Sequence, residues 1–258
     1  MRVSIITVCF NSEDYILSTI ESVLSQDYLD IEYIVVDGNS TDGTVEIIKS
    51  FGNKISKWIS EPDLGLYDAM NKGINLATGE IIGIVNSDDF FHRNDSISKV
   101  VETLKNFPVQ SVFADIIFVR RDNPEKVVRY FSSQNFKPWK MRFGFMPAHP
   151  TFFTYKTNFT KYGSYDSSFD IGADFELLLR FLYKNSISYK YIPIDLMKMR
   201  TGGVSTRSLK STLIINQENL RAFKINKYYT NYVFLFSRYF IKVFHYLPSF
   251  ISYQSKKK

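Results

Sequence analysis

The chain has 258 residues, of which 45% are hydrophobic, and a formal net charge of +6 at pH 7. This composition predicts one sizeable core and one domain with an extension. The single cysteine, Cys9, excludes an internal disulfide framework, and we therefore expect a reducing compartment.

The N-terminal residues predict no cleavable signal. The apolar run 3–10 is followed at once by Asn11, Glu13 and Asp14, so it is too short and too promptly charged for a secretory signal. We therefore expect a cytoplasmic protein. Most of the excess positive charge lies near the C-terminal end, which favours anionic partners, and we expect no nucleic-acid partner.

Strand and helix patterns alternate along the first 85 residues. Predicted strands cover 3–10, 32–37, 56–60 and 81–85, and predicted helices cover 44–51 and 67–77. Another helix follows the first strand, with Ser12 as its cap. Further strands are predicted at 112–119 and 126–130, before an aromatic, basic loop at 131–145. This order predicts a doubly wound, Rossmann-like α/β fold with a mostly parallel central sheet flanked by helices.

Carboxylates follow two of these predicted strands. Asp88 and Asp89 come directly after the strand at 81–85, and Asp37 ends the strand at 32–37. Ligands of open α/β sheets bind outside the carboxyl ends of the strands, so these acids are placed to hold a hard cation against a bound ligand. The alternative for Asp88 and Asp89 is a helix N-terminal turn, since Asp also favours caps.

The sequence contains neither of the common phosphate-binding loops, G-x-G-x-x-G and G-K-[ST]. Phosphate must therefore be held in another way. A divalent cation, Mn²⁺ or Mg²⁺, bound by Asp88 and Asp89 would supply the positive charge.

Four segments, in this order along the chain, resemble the inverting family 2 glycosyltransferases with the GT-A fold. They are SIITV at 4–8, VVDGNSTDGT at 35–44, EPDLGLYDAMNKG at 61–73 and SDD at 87–89. The resemblance covers roughly four fifths of the chain, and its specificity comes from collinearity. It implies transfer of one sugar from a nucleotide donor, a UDP-sugar, to a lipid-linked glycan, as in bacterial O-antigen and capsule assembly.

The resemblance also implies a general base at the start of a helix near residue 174. An acid in such a segment of the family removes the proton of the acceptor hydroxyl, and Asp174 is the candidate. Glu176 is the alternative base, and a helix cap is the structural alternative for Asp174. The chain has Ala173-Asp174 where the family more often has a Glu-Asp pair.

Further donor contacts are implied by the same resemblance. The residues that would line the pocket of the uridine base are Thr7, Asn11 and Asp37. Of the two acids, Asp89 would be the direct ligand of the metal and Asp88 would mainly touch the ribose. Lys72 would contact the donor, and His149 would lie near the donor phosphates or the acceptor. Turn geometry is the structural alternative for Asp37, solvent exposure for Lys72, and a buried structural role for His149.

A segment near residue 200 has the composition of a flexible lid. Arg200 precedes Gly202 and Gly203, and its guanidinium is able to pair with the phosphate of the leaving group. The alternative is a plain turn.

We predict a GT-A domain at 1–207, with a nucleotide-binding half at about 1–115 and an acceptor half at about 116–207, followed by a helical tail at 208–258. The polar side chains of the tail fall on one helical face: Lys224, Lys227, Asn231, Arg238, Lys242, His245 and Ser249. Aromatic and aliphatic residues cover the rest, a pattern typical of a helix that lies flat on a membrane.

The terminal residues Lys256-Lys257-Lys258 would add attraction to an anionic membrane surface. We therefore expect peripheral attachment to the inner face of the cell membrane. The alternative is a tail that packs on the domain with its basic face in solvent.

The chain lacks the Q-x-x-R-W element of processive members of the resembled family, which favours addition of a single sugar. One alternative is a sugar nucleotidyltransferase, but that class would show a glycine-rich, arginine-bearing loop where Cys9-Phe10-Asn11-Ser12 stands. The other alternative is a catalytically inactive glycan-binding module. The oligomeric state is left open.

Overall fold

The computed structural model of the chain describes residues 1–202 and 209–239. Its strands are β1 (Val3–Cys9), β2 (Ile31–Asp37), β3 (Lys57–Ser60), β4 (Ile81–Asn86), β5 (Asp89–Phe91), β6 (Ser111–Val119), β7 (Val127–Phe131), β8 (Phe153–Tyr155) and β9 (Tyr189–Arg200). Its α-helices are α1 (Ile16–Leu24), α2 (Thr44–Ser50), α3 (Leu66–Leu76), α4 (Ser96–Asn106), α5 (Lys156–Tyr162), α6 (Ala173–Leu178) and α7 (Leu209–Ile225). A π-helix, Leu179–Lys184, continues α6, and residues 232–239 are also helical.

The strands form one sheet in the order β3-β2-β1-β4-β8-β6-β9-β5, with β7 paired to β6. Strands β3, β2, β1 and β4 pair in parallel, so their carboxyl ends lie at one edge. In the second half β8 is antiparallel to both β4 and β6, whereas β6 and β9 are parallel. The predicted α/β class is confirmed, and the strands predicted in the second half, at 112–119 and 126–130, are β6 and β7, which pair antiparallel.

Helices cover both faces of the sheet because the central strands are apolar on both faces. All seven residues of β1 are buried, and they alternate between two cores. Ile6 and Val8 pack in one core with α3, α6 and α7, and Ile5 packs in the other core with α1, α2 and α4. Alternate side chains along each strand therefore point to opposite faces of the sheet and pack against the helices on each side, and these packed layers support the loops at the sheet edge.

The first helix begins later than predicted, and Ser12 is not its side-chain cap. Helix α1 starts at Ile16, and the Ser12 hydroxyl instead donates to the carbonyl of Phe10 at 3.1 Å and lies 2.9 Å from the Ser87 hydroxyl. Only the Ser12 carbonyl serves the helix, as acceptor from the Ile16 N–H at 2.9 Å. Ser12 thus joins the end of β1 to the acidic loop after β4.

The helix-turn alternative for Asp88 and Asp89 is wrong. Asp89 begins the short strand β5, which pairs antiparallel with β9, and its partner in the register is Met199. The next helix, α4, begins only at Ser96.

The tail packs on the domain as far as the structure describes it. Phe223 of α7 is 1% exposed and lies in the core that contains α6, and Leu235 has no exposed surface. Arg238 does not lie on an exposed polar face, as both the membrane prediction and its alternative required: it is 6% exposed and donates to the carbonyl of Gly144 at 2.8 Å. A second bond from Arg238, to Asn216 Oδ1 at 3.0 Å, ties residues 232–239 to α7.

The remaining predictions for the tail are tested only in part. Lys242, His245, Ser249 and the three terminal lysines lie outside the described residues. Among the described residues, no helix combines the length and the apolar character needed to span a bilayer. The predicted boundary between 207 and 208 stays a prediction.

Candidate functional site

An open cleft of about 490 Å³ lies at the carboxyl ends of β1, β2 and β3. It is lined by Phe10, Gly38, Asn39, Thr41, Pro62, Asp63 and Gly65. The Phe10 ring is 60% exposed, which is unusual for a phenylalanine next to a buried strand, so the cleft offers a flat apolar face beside polar loop groups. None of these seven lining residues was singled out from the sequence as a contact, although several stand beside residues that were.

Asn11 and Asp37 shape this cleft through the loop after β2. Asn11 has a φ of 45°, and its Oδ1 accepts the Thr41 N–H at 2.9 Å. The Asp37 carboxylate has no exposed surface and accepts the Ser40 N–H at 2.9 Å and the Ser60 hydroxyl at 2.6 Å. Asp37 therefore holds two loops of the cleft together, from behind its wall.

Thr7 and Lys72 also lie away from the open face of the cleft. Thr7 has no exposed surface, and its hydroxyl oxygen accepts from the buried Tyr33 hydroxyl at 3.1 Å. Lys72 donates to the Pro62 carbonyl and to Glu61 Oε1, each at 2.8 Å, and the bond with Glu61 raises the pKa of Lys72. Lys72 thus fastens the loop 61–65 onto helix α3.

Helix α3 connects this loop to the segment that carries Asp174. Gly65, at a φ of 110°, makes the turn into the helix. The Tyr67 hydroxyl then donates to the Ile171 carbonyl. One turn later the Asn71 side chain makes two bonds of 2.9 Å with the backbone N–H and C=O of Tyr165. The first turns of α3 therefore tie the residues 165–171, which lead to Asp174, to the loop that lines the cleft.

The acids after β4 lie at different depths. Asp88 is half-buried, whereas Asp89 is 1% exposed, and burial followed by the charge of Asp88 raises the pKa of Asp89 well above its ordinary value. Asn86 donates to Asp89 Oδ2 at 3.3 Å, and Asn86 Oδ1 is buried without a hydrogen-bond partner. A buried carbonyl oxygen without a donor beside two carboxylates is a donor set that suits a hard divalent cation.

Arg200 lies against these acids. Its guanidinium donates to the Asp88 carbonyl at 2.8 Å and to the Ser18 hydroxyl at 2.9 Å, and it is stacked 4.7 Å from the centre of the Phe90 ring. Arg200 is 8% exposed at the end of β9, so it fixes the acidic loop from one side. Gly202 is the last residue described there, and the predicted lid beyond it lies outside the described residues.

Asp174 and Glu176 have different surroundings. Glu176 is 3% exposed, pairs with Arg180 at 2.7 Å and accepts from Asn226 at 3.0 Å, so its carboxylate is committed to the core. Asp174 is half-buried in the first turn of α6 and forms no ion pair among the described residues. Burial raises the pKa of Asp174 to about 6. Of the two acids, Asp174 is the one available to exchange a proton.

His149 is a buried neutral histidine. It is 8% exposed, its Nε2 lies 2.7 Å from the Tyr165 hydroxyl, and burial lowers its pKa to about 4. The geometry therefore favours a buried structural role for His149 over a contact with the donor phosphates, because a neutral ring behind Tyr165 offers no charge to a phosphate. Tyr165 in turn stacks on Tyr67 with ring centres 5.7 Å apart.

Comparisons with known proteins agree with this geometry. The family model described as Glycosyl transferase family 2 matches residues 4–169. An uncharacterised glycosyltransferase of Mycobacterium tuberculosis is 33% identical over 187 residues, covering 69% of this chain and 68% of that protein. The crystal structure of Staphylococcus aureus TarS 1-349 in complex with UDP matches with a TM-score of 0.67 at 18% identity, over 88% of this chain and 65% of that one.

The mannosyltransferase PcManGT of Pyrobaculum calidifontis, solved in complex with GDP-Man and Mn²⁺, matches with a TM-score of 0.64 at 19% identity, over 86% of this chain and 63% of that one. The chain thus spans slightly less than two thirds of either solved structure. At such low identity the structural matches establish the GT-A fold alone.

The chain belongs to glycosyl transferase family 2. The family and fold predicted from the sequence are confirmed, and the glycosyltransferase class is favoured over the nucleotidyltransferase alternative.

Proposed function

We propose that the chain transfers a single sugar from a UDP-sugar to a hydroxyl of a lipid-linked glycan, with inversion at the anomeric carbon, in bacterial surface polysaccharide synthesis. The observation that carries the proposal is that α3 joins the loop lining the cleft to the segment before Asp174, whose carboxylate forms no ion pair among the described residues. The uracil ring would lie on Phe10, beside the loops that Asn11 and Asp37 hold in place.

Asp174 is the general base of this proposal. Inversion requires one base to accept the proton of the incoming hydroxyl while the nucleoside diphosphate leaves from the opposite face. With a pKa of about 6, Asp174 is mostly ionised near neutral pH and is a stronger base than an ordinary aspartate.

The diphosphate end of the donor would lie at the acidic loop. We propose that Asp88 and the orphaned Asn86 Oδ1 contact Mn²⁺ or Mg²⁺, with Asp89 orienting the Asn86 amide from behind through their hydrogen bond. This proposal reverses the roles that the sequence suggested for Asp88 and Asp89, because only Asp88 is accessible. The bound cation would neutralise the diphosphate as it leaves. Within the described residues no three His, Cys, Asp or Glu side chains cluster, so further oxygens would come from the nucleotide.

The acceptor side of the proposal rests on an exposed apolar surface near the C-terminus. We call the set Trp139, Tyr229, Tyr232, Val233 and Phe236 the aromatic surface; its members are between 39% and 76% exposed. Ring contacts through Phe143 and Phe234 join Trp139 to Tyr229. Exposed aromatic side chains flanked by basic residues are typical of contact with the interface of a membrane. We propose that this surface brings the enzyme to its lipid-linked acceptor at the inner face of the membrane.

Asp174→Asn tests the base. We expect transfer to fall by about 10² to 10⁴, while UDP affinity is retained, because the amide cannot accept the proton. In the unaltered protein the transfer rate should fall as the pH drops through about 6, since protonation of Asp174 removes the base. Initial rates of sugar transfer from pH 5 to 8, beside calorimetric titration with UDP, measure both. Normal turnover by Asp174→Asn would rule out this assignment.

Glu176→Gln is the matched control for the neighbouring acid. It leaves the Arg180 charge, 13% exposed, without its partner, so we expect a loss of roughly 3–5 kcal/mol in the free energy of unfolding. Transfer per folded molecule should be affected far less than in Asp174→Asn. The opposite ranking would make Glu176 the base.

Asp88→Asn and Asp89→Asn separate the two metal roles. We expect Asp88→Asn to abolish the Mn²⁺-dependent part of UDP affinity, because it removes the accessible carboxylate ligand. Asp89→Asn should retain a reduced metal effect, because the buried side chain acts through its hydrogen bond with Asn86 and offers no open coordination site. Calorimetric titration of UDP with and without Mn²⁺ measures this, with the exposed Asp30→Asn as control. A metal effect lost only in Asp89→Asn would restore the assignment made from the sequence.

The aromatic surface is tested by replacing Tyr232, Val233 and Phe236 together with serine. We expect flotation with vesicles containing anionic lipid to fall several-fold, because burial of apolar side chains at the interface is lost. The matched control replaces Leu17, Leu29 and Phe107, which are also exposed, with serine. Equal flotation of the two triple variants would contradict the membrane role.

A further inference from the structure

Helix α7 lies beyond the residues matched by the family model and contributes a buried carboxylate to the Asp174 segment. Glu218 of this helix is 8% exposed. Its two oxygens accept three consecutive backbone N–H groups, from Asp170 at 2.6 Å, Ile171 at 3.0 Å and Gly172 at 2.7 Å. These three residues lead directly into helix α6, where Asp174 occupies the first turn.

The contact replaces a cap that the local sequence does not provide. Gly172 stands at the N-cap position of α6 and has no side chain to accept an N–H from the first turn. A Cβ at Gly172 would lie 3.1 Å from both Cβ and Oε2 of Glu218, so the glycine leaves the space that the carboxylate occupies. Charge-assisted bonds to three successive N–H groups fix this turn far more firmly than one neutral cap would.

The same turn is held from the opposite side by the Tyr67 hydroxyl on the Ile171 carbonyl. Among the described residues, the titratable groups that act on Asp174 or are acted on by it are Tyr67 from α3, Tyr165 from the loop before α6 and Glu218 from α7. Glu218 is the one carboxylate among them. Its negative charge adds to burial in raising the pKa of Asp174.

We propose that Glu218 is a positioning residue for Asp174, so that helix α7 contributes to the transfer reaction. Glu218 fixes the turn that aims the Asp174 carboxylate, and its charge makes that carboxylate a stronger base. This inference rests on the proposed role of Asp174 as general base. Arg238 extends the connection, because it joins α7 at Asn216 to residues 232–239, where part of the aromatic surface lies.

The test compares Glu218→Gln, Glu218→Asp and the exposed control Glu102→Gln in the full chain. For Glu218→Gln we expect the turnover number for transfer to fall roughly 10- to 100-fold with the donor KM unchanged, because a small misplacement of the base is costly. The acid limb of the pH profile should move to lower pH, since a lost negative charge lowers the pKa of Asp174. Glu218→Asp should keep the acid limb near its original position and recover part of the turnover. Glu102→Gln should change neither.

A readout independent of turnover is the ¹³C NMR titration of the Asp174 carboxyl, assigned with Asp174→Asn. The inference predicts that this titration moves to lower pH in Glu218→Gln. An unchanged titration overturns the inference, because Glu218 would then act on the fold alone. This conclusion is the same if turnover is unchanged and if turnover falls together with donor affinity and thermal stability. If the unaltered protein transfers no sugar from any donor yet the titration still moves, the proposed function fails while the coupling of Glu218 to Asp174 stands.

Discussion

The hydrogen bonds from helix α3 to residues 165–171 are the contacts on which the site depends. Tyr67 and Asn71 hold the backbone of the Asp174 segment, while the loop before α3 lines the cleft. One short helix therefore connects the loop that lines the cleft to the segment that leads to Asp174. Glu218 holds the same turn from the other side, so the Asp174 segment is clamped between two helices that are far apart in the sequence.

The parallel half of the fold was predictable because its strands β1, β2 and β4 are buried on both faces and read as nearly continuous apolar runs. The acids and glycines that follow those strands mark the ligand edge for the same reason. The segment 61–73 was recognised from the sequence as a motif, and the structure shows what its residues do. Gly65 makes the turn, Lys72 fastens the loop, and Tyr67 and Asn71 reach the Asp174 segment.

The sequence could not predict contacts between residues that lie far apart along the chain. Strand β5 exists because β9 returns beside it more than 100 residues later, and this pairing buries Asp89 and leaves Asp88 accessible. Arg238 looked like part of a basic face because its partners, Gly144 and Asn216, belong to other elements. A local pattern reports the chemistry of a side chain, whereas tertiary packing decides whether that chemistry faces a ligand or the core.

The central claim is that one cleft holds a nucleotide donor between Phe10 and the acidic loop, with Asp174 facing the sugar. The most direct measurement is a crystal structure with UDP and Mn²⁺, in which anomalous scattering locates the metal. The account predicts a manganese peak within coordination distance of Asp88, about 2.2 Å, and the uracil ring stacked on Phe10. A manganese peak away from Asp88, or a nucleotide bound outside this cleft, would contradict it.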